Sequence, residues 1–71
     1  MTPEEFRTAL RLLGLSQRAA ARWFGVDLST ISREWLKKGG PSEAAQRLIR
    51  LALALRMTAA EAERVMERSP V

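Results

Sequence analysis

The chain contains neither cysteine nor histidine. Disulfide frameworks, thiol nucleophiles and the common zinc sites are thereby excluded, and the usual general base is missing. No apolar run approaches the ~20 residues that a membrane span needs. The opening MTPEEFRTAL is acidic early and amphipathic, unlike a secretory signal, so the cytoplasm is the expected location. Nothing reads as a strand, and no repeat, low-complexity segment or long linker divides the chain. The 71 residues suffice for one domain around one modest core. A core of that size stabilises only marginally, which makes oligomerisation an expectation.

What is present is positive charge. The net charge is +4 and the sequence pI is about 11.1. Residues 1–14 balance two Arg against two Glu. Residues 15–40 carry Arg18, Arg22, Arg33, Lys37 and Lys38 against Asp27 and Glu34, and residues 41–71 carry five Arg against four Glu. The excess therefore sits in the middle segment, as a nucleic-acid partner would favour.

Five short helices are predicted, over about 3–13, 17–24, 28–38, 43–56 and 59–68. Thr2-Pro3-Glu4-Glu5 starts the first, with Thr2 as cap, Pro3 in the first turn and Glu5 completing a capping box. Phe6, Leu10 and Leu13 share one face, Gly14 ends the helix, and Leu15 plugs the core. Ser16 caps the second helix, whose inner face carries Ala20, Ala21 and Phe24. The Ala19-Ala20-Ala21 run lets two helices approach closely. Gly25 takes the left-handed turn, Val26 points inward, and Asp27 caps the third helix. Gly39-Gly40-Pro41 ends that helix, and Ser42 or Gly40 caps the fourth. On the fourth, Glu43, Gln46, Arg47 and Arg50 form a polar arc opposite Ala45, Leu48, Ala52 and Leu55. Past Arg50 the helix is apolar all round, as a covered helix is. Thr58 to Glu61 forms a second capping box. The fifth helix then presents Ala59, Ala62, Val65 and Met66, and Ser69-Pro70-Val71 is expected to fray.

The stretch LSQRAAARWFGVDLSTISREWLKKG, from Leu15 to Gly39, carries the most specific signal. Gln17 opens one helix, Ala21 follows four residues on, Gly25 turns the corner and Ile31 anchors the next helix. This resembles the helix-turn-helix of the Cro and CI repressor family. The resemblance implies an all-α, lambda-repressor-like bundle that binds double-stranded DNA, with the third helix in the major groove. It turns Leu28, Ser29, Ser32 and Arg33 toward base edges, with Thr30 on the flank. Arg33 suits a guanine, and Leu28 a thymine methyl. Gln17 matches the family's phosphate-contacting position, and a helix N-terminus attracts anions. Arg18, Arg22, Lys37 and Lys38 frame the helix as further phosphate contacts. Each has a plainer reading: Arg33, Arg18 and Arg22 as solvated surface, Lys37 and Lys38 as cations at a helix C-terminus.

Two positions depart from the family pattern. An apolar residue is usual three positions after the core isoleucine, but here Glu34 stands there and Trp35 follows, as if one residue had slipped in. Trp35 remains four residues from Ile31 and can pack beside it if the helix rotates. The outward face would then move toward Ser29, Arg33 and Lys37, away from Ser32. Trp23 replaces a polar residue. It reads as half buried against a neighbouring helix, as a phosphate contact through its N–H, or as part of a dimer interface.

Leu53, Met57, Val65 and Met66 are either core between the last two helices or a dimer seam. The expected function is a homodimeric transcriptional repressor that binds an inverted-repeat operator and needs no cofactor, metal or evident small-molecule effector. Similar small proteins act as phage regulators, as antitoxins or as repressors of anti-CRISPR operons. The rival reading is a protein-interaction module, such as an antitoxin-like binder, that uses helices four and five. An enzyme is disfavoured, because the carboxylates are scattered and no cleft-forming elements appear.

Overall fold

In the computed structural model of the protein, residues 1–68 are described. The expected frayed end, Ser69-Pro70-Val71, lies outside the described residues. Five helices follow one another in a compact bundle: α1 (Pro3–Leu13), α2 (Gln17–Phe24), α3 (Thr30–Trp35), α4 (Glu43–Ala54) and α5 (Ala59–Arg68). No strand occurs among the described residues, and no helix among them is long and apolar enough to cross a membrane.

The helix starts follow local chemistry. The Thr2 hydroxyl accepts the Glu5 N–H at 3.1 Å, and the Glu5 carboxylate accepts the Thr2 N–H at 2.8 Å. Thr58 and Glu61 repeat this arrangement before α5. Ser16 and Ser42 each accept the N–H three residues on, from Ala19 and Ala45. Asp27 differs from expectation: its backbone carbonyl, not its carboxylate, receives the first N–H groups of the third helix, from Thr30 and Ile31.

Three helix ends share one closure. After α1, the Leu15 N–H reaches the Leu10 carbonyl and the Gly14 N–H reaches Arg11. After α2, Val26 reaches Ala21 and Gly25 reaches Arg22; after α4, Met57 reaches Ala52 and Arg56 reaches Leu53. This is the paired-bond ending that needs one left-handed residue and an apolar residue after it. Gly14 and Gly25 supply the left-handed residue at φ 75° and 72°. At the third end the position is held by Arg56, at φ 55°. That closure stops α4 at Ala54, two residues short of the expected end.

The core gathers Phe6, Leu13, Ile31 and Ile49, all fully buried, with Leu10, Trp35, Leu36 and small alanines around them. Each large side chain contributes on the order of 1.5–3 kcal/mol of burial. Leu15, Trp23, Phe24, Val26 and Leu53 pack against this cluster half-buried. The expected inner face of α4 is corrected. Ala45, Ile49 and Ala52 enter the core, whereas Leu48 is half-buried and Leu55 is 58% exposed. Gln46, expected in a solvated arc, instead bridges, accepting from the Met1 nitrogen at 3.2 Å and donating to the Pro41 carbonyl at 3.0 Å. Gly40, at φ 81°, lies where a Cβ would collide with the Met1 carbonyl.

The third helix is not wound as an α-helix. Two residues, 28–29, have α geometry, and Thr30–Trp35 follow in π geometry. The Leu36 N–H donates to the Ile31 carbonyl five residues back, at 3.0 Å. In an α-helix residues i, i+3 and i+4 share a face; the wider ring brings i, i+4 and i+5 together instead. Ile31, Trp35 and Leu36 have that second spacing, and all three are buried. The extra residue visible at Glu34 is thus absorbed by one wide turn.

Two outcomes follow for stability. Arg56→Gly removes a left-handed strain of ~1–2 kcal/mol and adds back part of it as unfolded-chain freedom. A net gain of about 0.5–1 kcal/mol is expected, read as a raised urea midpoint. The Glu5 and Glu61 carboxyls are held below the ordinary 4.5, first by the backbone N–H of Thr2 or Thr58 and then by its hydroxyl. Their support is complete above the ordinary carboxylate range and is lost as pH falls through the lowered values. Acid titration of helicity should show this loss, and Glu5→Gln with Glu61→Gln should reduce it.

Candidate nucleic-acid interface

The site is built outward from the aromatic packing under it. Phe6 of α1 meets Trp35 edge-on at 5.5 Å between centroids, and Phe24 of α2 meets Trp35 at 5.5 Å and 70°. Phe6 and Phe24 close the triangle at 6.1 Å. These contacts fix α1 and α2 against α3. The turn Gly25-Val26-Asp27 allows the close succession of α2 and the third helix.

On the outside, this packing brings Arg7 of α1, Gln17 of α2, and Ser32, Arg33, Leu36 and Lys37 around one shallow hollow. Arg7, Gln17, Arg33 and Lys37 are exposed. No carboxylate lines the hollow, and none of its three cations forms an ion pair among the described residues, where the Arg47–Glu43 contact at 3.8 Å is the one salt bridge. Because the Ser16 hydroxyl takes the Ala19 N–H, the earlier N–H groups at the α2 start remain directed out of the helix end. The hollow therefore combines three cations with the amide side chain of Gln17, the first residue of α2, which together suit an anion.

The expected contact residues are distributed unevenly. Gln17, Arg33 and Lys37 come together. Arg18 on α2, Leu28 and Ser29 at the start of the third helix, and Lys38 in the turn after it are exposed outside the hollow, Leu28 at 39%; the helix stops at Trp35, three residues short of the expected Lys38. Thr30 is half-buried. Ser32 is half-buried, and its hydroxyl donates to the Leu28 carbonyl at 3.1 Å, back along its own helix. Arg22 faces elsewhere, lining a separate hollow with Trp23 and with Thr58 and Glu63 near α5. Arg7 was missed by the sequence reading. Its signal lay in the split of charge within residues 1–14, with Glu4 and Glu5 first and Arg7 and Arg11 later, which the regional sum of zero conceals.

Trp23 is half-buried and meets Phe24 edge-on at 5.0 Å. Its indole N–H is buried with no hydrogen-bond partner among the described residues. The packing position expected for it is the one it occupies.

Of the residues expected at a seam, Val65 and Met66 are 52% and 48% exposed, and Met57 is half-buried. All three line a groove between α4 and α5, together with Leu51 and Leu55, which are 59% and 58% exposed. Leu53 leans on the core instead.

Comparison with known protein families, with curated proteins and with solved structures finds no match to this chain.

Trp23→Phe should leave stability unchanged to within about 1 kcal/mol. It keeps the edge contact, and the lost ring area and the removed unpaired donor are each worth about 1–2 kcal/mol with opposite sign. A denaturant midpoint lowered by much more would show that the indole N–H has a partner.

Proposed function

We propose that the protein is a sequence-specific DNA-binding transcriptional regulator of the helix-turn-helix type, acting as a homodimer in the cytoplasm. The observation that carries this reading is the hollow of Arg7, Gln17, Arg33 and Lys37, which gathers from α1, α2 and the third helix three cations with no ion pair among the described residues. In this reading the third helix enters the major groove and Arg33 reads a guanine through two hydrogen bonds. Leu28, Ser29 and Thr30 stand at the leading end of that helix. Gln17 and Arg7 hold phosphate on one side, Arg18 and Lys38 extend the positive surface, and Arg22 contributes only from a distance. Phosphate contacts fix position and make affinity salt-dependent, while the base contacts choose the sequence.

The groove of Leu51, Leu55, Val65 and Met66 supports pairing with a second copy. Two such copies would bind half-sites about one helical turn, ~34 Å, apart. The same groove also favours a second reading, in which α4 and α5 capture a different protein, as an antitoxin captures its toxin. The basic surface around α3 weighs toward DNA.

A titration of duplex from upstream of the protein's own gene, against a scrambled duplex, tests the proposal. Binding at least ~10³-fold tighter to the first is expected. Arg33→Ala should cost about 1–3 kcal/mol on the preferred duplex and little on the scrambled one. Arg7→Ala should weaken both equally and lower the salt slope by about 0.9. Equal, weak binding to both duplexes, unmoved by Arg33→Ala, would direct the search to a protein partner.

A further inference from the structure

We infer that the wide turn of the third helix sets which residues read DNA, making Ser29, Arg33 and Lys37 the reading row and removing Ser32 from it. The inference rests on the DNA-binding reading and adds the register in which that helix would address bases. In an α-helix each four-residue step drifts around the axis by roughly 40°, so residues 29, 33 and 37 would fan out. With the ring widened between Thr30 and Trp35, the drift is taken back. Arg33 and Lys37 then line one hollow, with Ser32 in its wall and Lys37 in the turn that follows the helix, and Ser29 is exposed outside the hollow, one step before Arg33.

Ser32 has its one donor proton engaged within its own helix and offers a base edge no donor. Its hydroxyl donates to the Leu28 carbonyl at 3.1 Å, and the residue is half-buried. The winding itself is held by packing: Ile31, Trp35 and Leu36 are buried together, and they can share a face only at the wider spacing. The register is therefore set by the core and transmitted to the surface. Lys37, expected from the sequence to frame the helix as a phosphate contact, becomes a reader of a guanine edge, for which lysine is a suitable donor.

The test is selection of bound duplexes from a randomised pool by the full chain, followed by the same selection with Ser32→Ala and with Lys37→Ala. Both substitutions are on side chains outside the buried core, and circular dichroism checks that each variant keeps its helicity. The expected result has three parts. The unaltered protein selects a defined motif, Ser32→Ala selects the same motif, and Lys37→Ala loses its preference at one base pair while keeping the others. A lost preference with Ser32→Ala, or a uniform loss across all sequences with Lys37→Ala, would overturn the inference while leaving DNA binding intact. Selection of no motif by the unaltered protein would instead overturn the DNA-binding reading on which it rests.

Discussion

Everything on the outer surface depends on how Trp35 is buried. Its ring lies edge-on to both Phe6 and Phe24, and these three rings with Trp23 are all the aromatic residues the chain has. Such edge contacts add about 0.5–1.5 kcal/mol each beyond the area they bury. Ile31 and Leu36 need the same inner face. An α-helix cannot present all three at spacings of four and five, and the chain resolves the conflict by widening one turn. The cost of looser backbone hydrogen bonding is met by burying two large side chains and a third. The consequence reaches solvent: α1, α2 and α3 are locked through one triangle of rings, and Arg7, Gln17, Arg33 and Lys37 are held around one hollow by that lock.

The hollow and the groove are built from different residues. The polar hollow lies on α1, α2 and α3, the apolar groove on α4 and α5, and they share no lining residue. Under the proposed function a second copy can cover Leu51, Leu55, Val65 and Met66 without shielding the cations. These four groove residues are 48–59% exposed, apolar surface that a small core has no means to enclose.

Local chemistry was the legible part of the fold. The capping boxes at Thr2–Glu5 and Thr58–Glu61 and the left-handed turns at Gly14 and Gly25 depend on residues within one turn of each other, so spacing alone finds them. The Glu34-Trp35 departure announced an inserted residue, though not the geometry that takes it in. The α4 face was illegible for a specific reason. Leu48, Ile49, Leu51, Leu53 and Leu55 place apolar residues on every side, so helical periodicity cannot choose between the face with Ile49 and the face with Leu48 and Leu55. The end of α4 was missed because arginine, not glycine, holds its left-handed position. In the site, Gln17, Arg33 and Lys37 were readable from their positions along one motif. Arg7 was not, since its approach depends on the Phe6–Trp35 contact that seats α1 on α3.

The measurement closest to the central claim is the detection of scalar couplings through hydrogen bonds in isotope-labelled protein in solution. These name the carbonyl that each N–H donates to. The wide turn requires the Leu36 N–H to couple to the Ile31 carbonyl, with Lys38 coupled to Glu34 beyond it. Coupling of the Leu36 N–H to the Ser32 carbonyl, four residues back, would show an ordinary α-helix. In that case Trp35 could not share the inner face in the way described, and the register assigned to Ser29, Arg33 and Lys37 would fall with it.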